Sequence, residues 1–186
     1  MYDTYFKDLE QSNLVNRFLQ KNYYPKMGNS FEVVKDKERQ LKGIDVILNR
    51  NGEEILIDEK STRYYGEKHI PSYFFELSLL DENYNRRVGW FNDTTKINTH
   101  YLITWYKYNI KDEIEAAECL LIQKENVKLI VDGWERGMVS GVRYATGPAP
   151  ECSKLLIIPY NLLKKVADNI TKYTLKENGE YDIKNR

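Results

Sequence analysis

The stretch Gly43-Ile44-Asp45-Val46-Ile47-Leu48-Asn49-Arg50-Asn51-Gly52-Glu53-Glu54-Ile55-Leu56-Ile57-Asp58-Glu59-Lys60 decides the fold. Two runs rich in Val, Ile and Leu flank Asn51-Gly52, a pair that accepts the left-handed backbone of a tight turn, so the stretch predicts a β-hairpin. Both runs are apolar on both faces, which suits the middle of a covered sheet rather than its edge. Strand side chains alternate, so Asp58 and Lys60 project from one face and Glu59 from the other. Asp45, at the start of the first strand, then comes near Asp58 across the ladder.

Outward from this hairpin, Glu10 to Gln20 predicts a helix, with Leu14, Val15, Phe18 and Leu19 on one side. Pro25 and Gly28 break the pattern that follows. Further strands are expected at Tyr73 to Leu79, Tyr101 to Tyr106, Cys119 to Ile122 and Leu155 to Ile158. A short helix is expected from Glu125 to Asp132, ended by Gly133. Another is expected from Tyr160 to Ile170, with Pro159 suited to its start. The tail from about Lys176 to Arg186 is polar and expected to fray. The chain of 186 residues reads as one domain over 1–186, with no repeat or linker. Strands mixed with helices make it α/β or α+β, with a mixed central sheet and helices on both faces.

Composition bounds the partners. Lys plus Arg equals Asp plus Glu, 28 against 28, so no net positive charge attracts nucleic acid non-specifically. Local basic patches remain compatible with that balance. Cys119 and Cys152 are too few for a disulfide framework or zinc cluster and read as small buried hydrophobes. No secretory signal and no run long enough to span a bilayer is visible, so a cytoplasmic protein is the expectation.

Chemistry concentrates at Asp45, Asp58 and Lys60. Two carboxylates converging at a sheet end form a hard, oxygen-rich site suited to Mg²⁺. A cation held there polarises a phosphoryl group and lowers the pKa of bound water, and a lysine beside it orients that water or stabilises the phosphate charge. Asp58 and Lys60 also continue an apolar strand, where charge is costly without a partner. The plain alternative is a strand that ends at Ile57 and leaves a solvated Asp-Glu-Lys turn.

Asp45 followed by Asp58-x-Lys60 resembles the PD-(D/E)XK signature of the restriction-endonuclease-like nucleases. The resemblance covers about residues 10 to 106, and the segment from Arg39 through Gly89-Trp90-Phe91 is similar to small bacterial and phage members. It implies a restriction-endonuclease-like core and hydrolysis of DNA phosphodiester bonds with Mg²⁺, or Mn²⁺ in its place. By resemblance, Asp45 and Asp58 bind the metal and Lys60 serves the nucleophilic water. The backbone carbonyl of Glu59 is a further ligand. Glu10, with Gln11 as the alternative, is the candidate acid from the first helix, and Glu76 the candidate after the lysine. Ile44 stands where the signature has proline. Members that cut both strands often dimerise, so a homodimer is possible by the same resemblance. Within the same fold, the competing reading is a catalytically inactive module that binds nucleic acid or protein. An interaction protein with no nucleic-acid role is a second competitor.

His69 and His100 have no metal-ligand spacing between them, and His100 reads as a packing or surface residue. Tyr23-Tyr24, Tyr64-Tyr65 and Trp105-Tyr106-Lys107-Tyr108 are either base-stacking or core aromatics. Arg63, Lys68, Arg86 and Arg87 are candidates for phosphate contacts, or else part of a solvated surface.

Overall fold

Asn51 and Gly52 have φ of 54° and 85°. Both occupy the left-handed region that a two-residue hairpin loop requires, and Arg50 pairs with Glu53 across it. The computed structural model describes residues 2–63, 71–81, 83–109, 111, 113–147 and 152–185. The hairpin strands are β2 (Val46–Arg50) and β3 (Glu53–Arg63), preceded by α1 (Tyr2–Asn22), α2 (Tyr24–Met27), β1 (Ser30–Val33) and α3 (Lys37–Leu41). The chain continues through β4 (Ser72–Leu80), β5 (Arg86–Val88), β6 (His100–Tyr108), β7 (Ile114–Gln123) and α4 (Lys124–Glu135). It closes with β8 (Arg143–Thr146), β9 (Lys154–Pro159), α5 (Tyr160–Val166), β10 (Asn169–Leu175) and β11 (Tyr181–Asn185).

The expected mixed central sheet is present, with seven strands in the order β1-β2-β3-β6-β7-β10-β11. Only the β3–β6 pairing is parallel. β3 does not end at Ile57; it runs six residues further, to Arg63, and pairs with β6 throughout that extension. This overturns the solvated-turn alternative, because the charged triplet lies within the ladder.

Alternation along the strands builds two cores. Val46, Leu48, Ile55, Ile57, Leu102, Tyr106, Ala117, Cys119 and Leu121 face Val15, Phe18 and Leu19 of α1. Tyr101, Ile103, Trp105, Leu120 and Ile122 face the opposite way, onto Tyr73, Phe75, Leu156 and Ile158 together with Val127 and Ile130 of α4 and Leu163 of α5. The molecule is therefore α+β, but one face of the large sheet is covered mainly by a second sheet. That sheet has four antiparallel strands in the order β5-β4-β9-β8. The strands expected at Tyr73 to Leu79 and Leu155 to Ile158 form, but outside the central sheet.

Other boundaries also differ from expectation, among them the start of α1, at Tyr2 rather than Glu10. The last helix stops at Val166, because Asp168 N–H reaches Leu121 O and Asn169 onward pairs with β7. The tail from 176 does not fray: it turns back as β11, with Tyr181 and Ile183 packed on the core. α4 runs past Gly133 to Glu135. Trp105 and Tyr106, at 0% and 4% exposure, and the fully buried Tyr23 and Tyr24 are core residues rather than base-stacking ones. Among the described residues, no helix is long and apolar enough to cross a membrane.

Candidate functional site

Asp45 is delivered by a helix-stop motif. Asp36 caps α3 by accepting from the Glu38 and Arg39 N–H groups. The helix then ends with Gly43 N–H on Gln40 O at 2.9 Å and Ile44 N–H on Arg39 O at 3.1 Å. This crossed pair of bonds needs a left-handed residue after the cap, and Gly43 has φ 78°. Ile44 joins a small apolar cluster with Val34 and Ile47, which fixes the exit of the chain. Asp45 is then pinned three ways: its N–H donates to Ile57 O at 2.9 Å, its carbonyl accepts from Val34 N–H at 2.8 Å, and its Oδ2 accepts from Glu59 N–H at 2.8 Å.

Asp58 and Lys60 lie on the same face as Asp45, between that small cluster and the larger core under the second sheet. Asp58 is only 4% exposed and opposes Tyr101 in the ladder. Lys60 Nζ donates to Asp58 Oδ1 and stands 4.8 Å above the ring of Trp90, so the ammonium is held by a carboxylate and an aromatic face. Tyr73 and Tyr101 have raised phenol pKa values, first from burial and then from the Asp58 charge, and remain neutral. Tyr101 OH has no hydrogen-bond partner among the described residues. The 89–91 turn that carries Trp90 lies tight on β4, where a Cβ on Gly89 would stand 2.4 Å from Glu76 O. Gly89→Ala is expected to cost about 1–3 kcal/mol by overpacking against backbone and to displace Trp90 from Lys60. Urea unfolding together with Trp90 fluorescence, read in a Trp105→Phe/Trp134→Phe background, checks this; an unchanged midpoint and spectrum would contradict it.

Glu59 points through the sheet. Its carboxylate accepts from Tyr24 OH and, at 2.9 Å, from Asn16 Nδ2, so α1 and α2 hold it on the face opposite Asp45 and Asp58. Only its backbone carbonyl is left for the site, 3.5 Å from Lys60 Nζ. Burial pushes Glu59 up to about 7, against the hydrogen bond from Tyr24. Burial, with the Asp58 charge next, pushes Asp45 up to about 6. Both shifts favour the protonated form in the folded state. They contribute stability that is present below the ordinary carboxylate range and is lost as pH rises through about 6 for Asp45 and about 7 for Glu59. Metal-free protein is therefore expected to lose thermal stability from these groups as pH rises through that window. Glu59→Gln should flatten the upper part of the profile and Asp45→Asn the lower, and a melting temperature that rises across the window would contradict the assignment.

The other candidates among the described residues have their partners outside this centre. Glu76 accepts from Ser153 Oγ at 3.1 Å, and alternation along β4 sets it opposite the core residues Tyr73 and Phe75. Glu10 and Gln11 lie on α1, and their side chains are outside the described residues, as are Tyr64, Tyr65, Lys68 and His69. Arg63 stacks on Tyr108, and Arg87 pairs with Asp81. His100 bonds Asp168 at 3.1 Å and Thr99 at 2.8 Å, a surface-packing role as expected. Cys119 is buried as expected, whereas Cys152 is half-buried with φ 41°.

The structure adds Lys124, which no motif marked. It is 8% exposed and donates to Lys96 O at 2.8 Å and Asn98 Oδ1 at 3.3 Å. Burial lowers its pKa, while the Asp58 charge opposes the shift. Lys124 is therefore linked to Asp58 through charge alone, its hydrogen bonds going to Lys96 and Asn98.

Among the described residues, no group of three or more His, Cys, Asp and Glu side chains converges as a metal cage. What converges is two carboxylates and one carbonyl, a donor set suited to a hexahydrated-type cation such as Mg²⁺ that keeps several waters. No protein-family model matches the chain, and no curated protein or solved structure is detectably similar to it.

Proposed function

We propose that the chain is a metal-dependent nuclease with a restriction-endonuclease-like core, hydrolysing DNA phosphodiester bonds at Asp45, Asp58 and Lys60. The observation that carries this reading is the placement of Asp45, Asp58 and Lys60 on one sheet face, with Asp58 buried inside a continuous strand. A buried carboxylate with a half-buried one beside it is costly in a purely structural role, and a divalent cation would offset that cost. Asp45, Asp58 and the Glu59 carbonyl would hold Mg²⁺ or Mn²⁺, which supplies charge neutralisation on the phosphate and a water of lowered pKa. Asp45 Oδ2 is already oriented by the Glu59 N–H, and the Glu59 side chain is clamped from behind by Tyr24 and Asn16. Those two contacts fix the direction of the Glu59 carbonyl. Lys60 exchanges its bond to Asp58 for one to the attacking water or a phosphate oxygen, and the Trp90 face keeps its stem in place. Asp45, raised to about 6, becomes the ionised ligand at neutral pH.

Cleavage of single-stranded, duplex and branched DNA in Mg²⁺ or Mn²⁺, with EDTA as control, tests this reading. Metal-dependent cutting is expected on at least one form. Cutting of duplex ends or sites on both strands would go with two copies acting together, so the oligomeric state is measured alongside. A folded protein that cuts none and gains no thermal stability from the metal would instead be an inactive module of the same fold.

A further inference from the structure

Arg86 on β5, Tyr144 on β8 and Lys154 on β9 come together on the second sheet, where they line two adjoining cavities of about 530 and 380 Å³. Two cations meet here without neutralising partners among the described residues. Arg86 donates to Ser78 Oγ at 2.6 Å, and Lys154 Nζ stands 4.5 Å from the centre of the Tyr144 ring. Neither forms a salt bridge among the described residues, and Glu135 is the one carboxylate among the described residues lining either cavity. Tyr144 is 50% exposed and braced edge-on by Trp134 at 5.1 Å, so its ring is both held and open. An exposed, braced aromatic ring between two cations is complementary to a base with its phosphates. The larger cavity is also lined by Phe91, the residue after Trp90, whose ring lies under Lys60. The same turn thus joins this surface to the carboxylate centre.

We propose that these cavities form a nucleotide subsite that holds a single strand of nucleic acid, with Tyr144 stacking on one base and Arg86 and Lys154 binding its phosphates. A duplex keeps its base faces inside the stack and offers Tyr144 no partner, which commits the surface to a single strand. That the held strand feeds the Asp45–Asp58 centre rests on the nuclease reading; that it binds does not.

Fluorescence anisotropy of a labelled single-stranded oligothymidine in EDTA, across a salt series, tests the subsite without cleavage. Arg86→Gln/Lys154→Gln is expected to weaken binding about tenfold or more and to reduce the slope of log K against log salt by about 0.7 per cation removed. Tyr144→Ala is expected to weaken binding about tenfold with the salt slope unchanged. All three positions are exposed, so folding should be preserved, and circular dichroism verifies this. In Mn²⁺, hydrolysis of bis(p-nitrophenyl) phosphate by the wild-type protein reads the carboxylate centre separately, because this substrate is too small to reach both places. Variants that bind with wild-type affinity and salt slope overturn the subsite. So does a wild-type protein that binds no oligonucleotide at low salt, or one that prefers duplex. Hydrolysis of neither substrate, with strand binding intact and lost in the variants, sinks the nuclease reading and leaves the subsite standing.

Discussion

On the proposed nuclease reading, Lys60→Ala is expected to reduce metal-dependent cleavage by about 10²–10⁴-fold, the range for removing a positioned acid–base group. Asp58→Asn is expected to reduce it at least as far, since the proposed cation would lose a ligand. The two variants should differ in stability. Asp58 is 4% exposed and its charge is matched by Lys60, so Lys60→Ala leaves a buried carboxylate beside Asp45 without its nearest cation. Breaking a buried pair by removing one partner costs about 3–5 kcal/mol at full burial. The Lys60 side chain retains 22% exposure, which screens the pair and reduces that cost. Mg²⁺ should restore more of the melting temperature in Lys60→Ala than in Asp58→Asn, because only the former keeps both carboxylates. Cleavage at wild-type rates in either variant would remove that residue from the mechanism.

Trp105→Ala is expected to be the most damaging core substitution. The side chain is fully buried on β6 and faces the second sheet, with its indole N–H on Ser72 O at 3.4 Å. Tyr73 and Tyr160 meet its ring edge-on at 5.7 and 5.6 Å. It ties the seven-stranded sheet to β4 and to α5, so its loss leaves a cavity where three elements meet. Such a truncation costs about 3–5 kcal/mol, a large share of the ~5–15 kcal/mol that holds a domain together. Denaturant unfolding followed by far-UV circular dichroism should show one transition at a clearly lower midpoint. An unchanged midpoint would mean that the two sheets do not depend on this contact.

How much of this was legible in the chain varies by element. The 46–60 hairpin was legible because Asn51-Gly52 needs a left-handed turn and the flanking runs are β-branched. The placement of Asp58 and Lys60 opposite Glu59 followed from alternation alone. The last helix was overextended because Leu162, Leu163, Val166 and Ile170 keep helical spacing. Only the pairing of Asn169 with Leu121 reveals that Ile170 begins a strand. β11 was missed because a polar tail gives two apolar contacts, Tyr181 and Ile183, which matter only once β10 is beside it. The separate second sheet was illegible for a related reason: a strand apolar on both faces has the same pattern in either sheet. At the site, Asn16, Tyr24 and Trp90 come from elements distant in sequence, and no spacing rule reaches them.

The most direct test of the account is Mn²⁺ binding measured by electron paramagnetic resonance at neutral pH, for the wild type and for Asp45→Asn and Asp58→Asn. The account predicts saturable binding by the wild type, weakened by more than about tenfold in each variant. Wild-type protein that leaves Mn²⁺ free in solution, or variants that bind it as tightly as the wild type, would contradict a metal centre at Asp45 and Asp58.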